Sequence, residues 1–495
     1  MIMGGKMKKI LFLLFVFVSA FAQINIKRDY LIQIKEINLE GLKNLGIKFE
    51  DYNLDRVLIF YDNHVVMLAS KDEIDYYSQK GYNVEILMQD TVKLNLLKRA
   101  YYGETLKLPD CYHTYDEIIS LVDNLSRSYP KLIKKIIIGK TTKDKRNIYA
   151  VKISNNVNIE QDKPGILINA CHHSDEILGA EISTELIKLL INQYKKNDEV
   201  TKWVDSYEIF IVPVINVDGH YIVTSSQNPV WRKNTRDVNN NNILDSLDGV
   251  DLNRNYDFNW AFGGSEEVGS ERYKGEYPFS ESENNAIRNL LNKKKFVLSI
   301  SYHSQGEVIY YPWNWKDRFA PDDSLLTEIA NGLASSIKTF NGDTTYKAER
   351  GAGTVGQSYT YFYGKYGVFD FIIETGKGTH IYPCEGREKV VNSNLEGVKY
   401  ILRKGFGPGL TGNIKDAKTG KPLSAIVWIP SIESEDISRR VSDSKFGRYY
   451  RLLRPNKKYN LFFMKEGYEV KIIKDVYIKN DGWTTLNVEL NPLKK

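Results

Sequence analysis

The sequence predicts a central α/β domain, with a smaller α+β unit before it and a β-sandwich after it. Three observations predict this. Four nearly all-apolar runs, "PGILINA" (164–170), "YEIFIVPVIN" (207–216), "KFVLSISYH" (295–303) and "GVFDFIIET" (367–375), have the length and composition of strands covered on both faces. Segments of helical period, such as 175–195, lie between some of them, so the sheet is largely parallel or mixed. From 410 to 492 only short strand patterns separated by turn residues remain, with no helix-length periodic segment.

The elements follow in chain order. Residues 1–22 read as an export signal: Lys6, Lys8 and Lys9 lead, an apolar run fills 10–18, and Ala-Phe-Ala ends at residue 22. The run is short for a bilayer span, and no other segment is long and apolar enough to be one. Residues 23–109 alternate short apolar and charged stretches and read as a propeptide-like α+β unit. Near its end, Lys98-Arg99 is a dibasic pair of the kind that is cut in processing. The α/β domain occupies 110–405. It begins with a helix in "YDEIISLVDNLSRSYP" and a hairpin in "KKIIIGKTTKDKRNIYAVKIS". "KGFGPG" (404–409) marks the passage to the C-terminal β unit, residues 406–495.

Bulk properties exclude some classes of function. A chain of 495 residues holds two to four domains. Its 42% hydrophobic and 26% charged residues are ordinary globular composition. The net charge of +6 has no long Lys/Arg block behind it, which argues against a dedicated nucleic-acid binder. The three cysteines, Cys111, Cys171 and Cys384, are too few and too widely spaced for a disulfide framework, although one pair could join after export. Cys171 reads as a small buried residue rather than a nucleophile.

The chemistry concentrates in "NACHHSDEILGAEIS" (169–183). The strand ends near Ala170, and a helix follows with Ile177, Leu178, Leu186, Leu189 and Leu190 on its apolar face. Residues 171–174 therefore form a strand-to-helix turn, where open α/β sheets collect functional residues. His172 and His173 lie four and three residues before Glu176, so helical spacing leaves both pairings open. Of the seven histidines, only His303 shares this setting, directly after an apolar strand. His220 and His380 read as loop residues; His64 and His113 fall outside or at the edge of the domain. Glu374 again ends a strand. Two imidazoles and one carboxylate make a common catalytic zinc set with a position left for water. A second carboxylate, Glu374, can serve as general base. Cations come from "NPVWRKNTRD", with Arg232 and Arg236, and from "GVDLNRNYDFNW", with Asn253 and Arg254; a guanidinium fork binds a carboxylate at two points.

Taken in order, "HSDE", "VWRKNTR", "GVDLNRNYDF", "SISYHS" and "FIIETG" resemble the zinc metallocarboxypeptidases of the carboxypeptidase A/B and N/E group, over roughly residues 110–405. The resemblance implies an eight-stranded mixed sheet with flanking helices. It implies one zinc ion held by His173, Glu176 and His303, which selects His173 over His172. Arg232 would stabilise the oxyanion, Asn253 and Arg254 would grip the substrate's terminal carboxylate, and Glu374 would activate water. The C-terminal unit resembles the transthyretin-like domain of the N/E group.

The departures bear on specificity. The mobile tyrosine of the family has its nearest counterpart in Tyr346, two residues off the simplest alignment. Asn314 and Val355 stand near positions where the N/E and B groups carry an acid, so a neutral or apolar terminal residue is expected. "DVNNNNILDSLD" sets Asp237, Asn239, Asn241, Asp245 and Asp248 at nearly the spacing of a calcium loop, and it reads equally as a solvated Asn-rich turn. The expected protein is a secreted or periplasmic monomeric carboxypeptidase acting on peptide or protein C-termini, made as a zymogen. Its rivals are a zinc amidase acting on cell-wall peptides and an inactive binding or adhesion protein on the same scaffold.

Overall fold

The structure is a computed structural model that describes residues 30–37, 41, 45, 57–61, 64–89, 108–245, 247–351 and 356–493. The export signal, the Lys98-Arg99 pair and Val355 lie outside the described residues. The chain divides into two compact units, Met1–Lys98 and Arg99–Lys495.

Among the described residues the first unit holds a four-stranded sheet and the helix that follows its third strand. Strands β1 (Tyr30–Lys35), β2 (Val57–Tyr61), β3 (His64–Ala69) and β4 (Asn83–Gln89) are ordered β2-β3-β1-β4. Helix α1 (Lys71–Gln79) opens on a capping box. Ser70 Oγ accepts from Glu73 N–H, and Glu73 accepts from Ser70 N–H.

The second unit is built on an eight-stranded mixed sheet. Its strands are β5 (Ile133–Lys140), β6 (Asn147–Ile153), β7 (Gly165–Ala170), β8 (Glu208–Val212), β9 (Phe296–His303), β10 (Val308–Tyr311), β13 (Lys347–Arg350) and β14 (Phe369–Glu374), in the order β13-β10-β14-β9-β7-β8-β6-β5. Four neighbours, β14, β9, β7 and β8, run parallel. Strands β7, β8 and β9 are buried along their whole length, the reason their sequences read as unbroken apolar runs. Helices α2 (Tyr115–Ser128), α3 (Leu178–Gln193), α4 (Asp198–Ser206), α5 (Val217–Thr224), α6 (Ser282–Lys293), α7 (Asp323–Ser336) and α9 (Cys384–Lys404) flank it. Between α7 and α9 a short helix, α8 (Ser358–Tyr361), continues as a π-helical turn, Phe362–Tyr366.

One cysteine pair joins, as the sequence reading allows: Cys111 and Cys384 form a disulfide across 273 residues. Cys171 stays free and buried, and burial pushes its thiol pKa up, so it is no nucleophile. His220 is not a loop residue. It sits within α5, fully buried, because Asn216 caps that helix by accepting from Gly219 N–H.

The C-terminal strands form separate sheets: β15 (Gly409–Asp416) with β17 (Arg448–Leu452), β20 (Trp483–Thr485) and β21 (Val488–Leu490), and β16 (Ile426–Trp428) with β18 (Lys458–Met464) and β19 (Lys471–Tyr477). They enclose their own core around Leu410, Val427, Leu461 and Phe463. This β module is not freely hinged: Ile437 and Leu452 belong to the core of the α/β body, and Arg448 grips Asp162 through Nε at 2.9 Å and Nη2 at 2.6 Å. Among the described residues no helix is long and apolar enough to cross a membrane.

Candidate active site

Parallel neighbours in a sheet bring their carboxyl ends to one edge, and three of those ends carry the expected residues. Strand β7 leads through a tight turn to His173, β9 ends on His303, and β14 ends on Glu374, directly paired with His303. The turn after β7 requires Cys171 at φ 55°, a strained conformation for a non-glycine residue and of a kind that clusters at functional sites. Gly179 lets α3 approach the strands: a Cβ there would meet Ala170 Cβ and Tyr302 Cβ at 2.8 Å each. That close seating holds Glu176 under the sheet edge.

His173, Glu176 and His303 converge. Each offers a ligand atom, and these atoms all lie within 4.8 Å of one another, the only such group among the described residues. Glu176 Oε1 lies 2.8 Å from His173 Nδ1, and Oε2 lies 2.8 Å from His303 Nδ1. The two Nδ1 atoms are 3.1 Å apart. Behind them, Asp251 Oδ1 stands 3.0 Å from His173 Nε2, which places the proton on Nε2 and turns the Nδ1 lone pair to Glu176. Arg232 Nη2 also lies 2.8 Å from that nitrogen; its proton goes to Asp251 Oδ2 at 3.1 Å, so the carboxylate accepts from both. Asn253 Nδ2 and Ser301 Oγ flank His303 Nε2 at 3.3 and 3.4 Å. Facing lone pairs on two imidazoles, with a carboxylate between them, are mutually repulsive unless a cation sits among them. This donor set fits a zinc ion.

Burial opposes the charge on Glu176, but His173 and His303 outweigh it and hold the carboxyl well below its usual range. Burial likewise opposes Asp251, and Arg232 and Arg254 hold it well below as well. Burial and Arg232 push His173 down; Glu176 and Asp251 outweigh them, so it ends above the ordinary imidazole value. Burial leaves His303 below that value. Glu374 moves the other way: burial and the charge of Glu176 push it up to about 8.

Other expected residues divide. Arg232 Nη1 reaches Glu176 Oε1 at 3.1 Å, and Arg254 Nη1 donates to Asn253 O at 2.9 Å. Arg236 turns away, to Glu281 at 2.8 Å. Tyr346 is 5% exposed and its hydroxyl accepts from Gly376 N–H at 3.1 Å, so it is locked in the core instead of lying over the site. Asn314 is exposed on a two-residue strand, Asn314–Trp315. In the Asn-rich loop, Asp237 accepts from Asn241 and Asn242 N–H, Asp245 from Leu247 N–H, and Asp248 from Val238 and Asp245 N–H. Those oxygens accept from the loop's own backbone.

Two residues escaped the sequence reading. Asp251, two positions before Asn253, orients His173. His172, buried beside the site, stacks on His303 with ring centroids 5.3 Å apart and holds Tyr256 OH through Nε2 at 2.8 Å. The adjacent motif was a signal for Asp251; for His172, only the doubled histidine.

Residues 118–396 match the family model described as zinc carboxypeptidase. Carboxypeptidase A1 of Rattus norvegicus is 31% identical over 373 residues, 71% of this chain and 85% of that protein. Carboxypeptidase A4 of Mus musculus is 29% identical over 300 residues, 59% of this chain and 69% of its own length. Among solved structures, carboxypeptidase A from Helicoverpa armigera is similar with a TM-score of 0.59 at 20% identity, covering 77% of this chain and 98% of its own, a likeness of fold.

Proposed function

The chain belongs to the zinc carboxypeptidase family and is a zinc metallocarboxypeptidase; within that activity we propose the following roles for its residues. His173, Glu176 and His303 hold the zinc. Bound there, zinc supplies a Lewis acid that lowers the pKa of a water and polarises the scissile carbonyl. Glu374, on the neighbouring strand end, takes the proton of the attacking water and delivers it to the leaving amine. Burial and Glu176 raise its pKa, His173, Arg232 and Arg254 oppose them, and the balance stands at about 8. Arg232, fixed by Glu176 and Asp251, stabilises negative charge developing on the carbonyl oxygen. Asn253 and Arg254 bind the terminal carboxylate. The observation that carries this reading is the convergence of the three ligand atoms at the strand ends beside Glu374.

The neutral side chains of Asn314 and Val355 support a preference for neutral or apolar terminal residues over Lys or Arg. The export signal supports a secreted or periplasmic location. The division of the chain between Lys98 and Arg99 supports a propeptide-like unit released by cleavage at that pair. The transthyretin-like assignment of the C-terminal module rests on the strand pattern after residue 406, and the protein acts as a monomer.

Blocked dipeptides that differ only in the last side chain, each with a free or an amidated C-terminus, test the reading. Rapid turnover of the free acids and loss of turnover on amidation are expected. Equal turnover of both would favour an amidase, and preference for terminal Lys or Arg would overturn the specificity.

A further inference from the structure

We propose that the C-terminal β module is a positioning element for the active site: through Arg440 it anchors the helix that orients Asn253 toward the substrate's carboxylate. This inference rests on the carboxypeptidase reading and adds a part of the molecule that reading does not use.

The helical run from Ser358 to Tyr366 joins the two. Its N-terminus faces the site. Ser358 N–H donates to Asn253 Oδ1 at 2.9 Å, which fixes the amide so that Nδ2 faces the opposite way, toward His303 Nε2. The chain just before it is knitted to the same loop: Gly356 N–H donates to Phe258 O, and Tyr256 N–H donates to Gly356 O, each at 3.0 Å. Gly356 has φ +79°, and a Cβ there would meet Arg254 O at 2.4 Å, so the strap lies directly on the Asn253-Arg254 backbone.

The other end faces the β module. A helix leaves its last carbonyls without partners inside the helix. Here Gly364 O accepts from Ser438 N–H at 2.8 Å and from Arg440 Nη1 at 3.2 Å. The guanidinium also lies 5.3 Å from the Tyr363 ring centroid, and a Cβ on Gly367 would meet Arg440 Nε at 2.7 Å. Arg440 is 6% exposed, and its own carbonyl accepts from Val427 N–H, which ties it to the module's sheet. Tyr363 OH in turn donates to Asp322 Oδ2 at 2.8 Å, at the start of α7. One helical run thus presents its first amide to a substrate-binding side chain and the Gly364 carbonyl near its other end to the module. π-Helical turns such as this one occur frequently at functional sites. Arg440 is a positioning residue: it touches no substrate and acts through the helix.

The test is a double-mutant cycle on the full-length, zinc-loaded protein with Arg440→Ala, Arg440→Lys, Asn253→Ala and the Arg440→Ala/Asn253→Ala pair, assayed on a free-acid blocked dipeptide. For Arg440→Ala the expected result is a rise in KM of roughly five- to twentyfold, the size of a coupling between linked residues. Zinc content and kcat should stay within about twofold, and Arg440→Lys should recover part of the loss. In the Asn253→Ala background, Arg440→Ala should add almost nothing. Equal effects of Arg440→Ala with and without Asn253, or a fall in kcat and zinc together, would overturn the proposal. If Arg440→Ala does not fold, Arg440→Lys carries the same cycle. Failure of the unmutated protein to prefer free acids would instead overturn the carboxypeptidase roles on which the proposal rests.

Discussion

Two regions of this molecule hold clusters of ligand-type side chains, and among the described residues only one brings them within reach of a shared ion. The loop from Asp237 to Asp248 packs five oxygen-bearing residues into twelve positions of sequence, yet their oxygens turn to the loop's own N–H groups. His173, Glu176 and His303 span 130 positions and meet within 4.8 Å. The difference lies in what carries them. Parallel strands and a closely seated helix leave the second group no local backbone to satisfy, whereas the Asx side chains of this loop find N–H groups two to five residues away and, for Asp248, also ten. Proximity in sequence favours self-capping; convergence of strand ends favours a shared ion.

The contrast can be broken or sharpened by substitution. The largest effect falls on His303→Ala, which removes one ligand from the rigid set. Bound zinc, measured by elemental analysis, should drop to about a tenth of an equivalent or less, with turnover lost alongside. Glu374→Gln should retain zinc and lower kcat by about 10²–10⁴-fold, since it removes the proton acceptor and leaves the ligands in place. Asp251→Asn keeps the shape but weakens the group that orients His173; zinc affinity in a chelator competition should fall about 10- to 100-fold.

His220 supplies a buried imidazole with no partner for contrast. Among the described residues neither ring nitrogen finds a hydrogen-bond partner, and burial pushes its pKa down to about 4 against the opposing pull of Glu181. In the unfolded chain it titrates near about 6.5. As pH falls the unfolded state takes the proton first, so stability holds above about 6.5 and is lost toward about 4, by about 3 kcal/mol in full. Urea melts should show His220→Leu less acid-sensitive than the parent. The smallest effect is expected at Asp245→Asn, whose carboxylate accepts from the Leu247 N–H and two Asn side chains of an exposed loop. Unfolding free energy should move by about 0.5 kcal/mol or less, with zinc content and turnover unchanged.

Much of this was legible in the sequence because it rests on patterns that survive translation into three dimensions. Apolar runs at β7, β9 and β14 declared buried strands, and a polar residue directly after such a run declared the functional edge. The choice between His172 and His173 was not legible from spacing, because it depends on the Cys171 turn, which sends one ring to the ligand cluster and the other to Tyr256. The Cys111–Cys384 bond joins segments with no common pattern. Tyr346 is the nearest counterpart of the family's tyrosine by sequence, two residues off the simplest alignment, but burial and the Gly376 N–H hold it inside. The helical strap from Ser358 to Tyr366 was hidden for a similar reason: its meaning lies in what its two ends touch.

The most direct test of the account is anomalous diffraction at the zinc edge from crystals of the zinc-loaded protein. One strong peak is predicted, within about 2.0–2.2 Å of His173 Nδ1, His303 Nδ1 and a Glu176 carboxylate oxygen. A peak elsewhere, above all in the 237–248 loop, or a site lacking any of those three ligands, would contradict it.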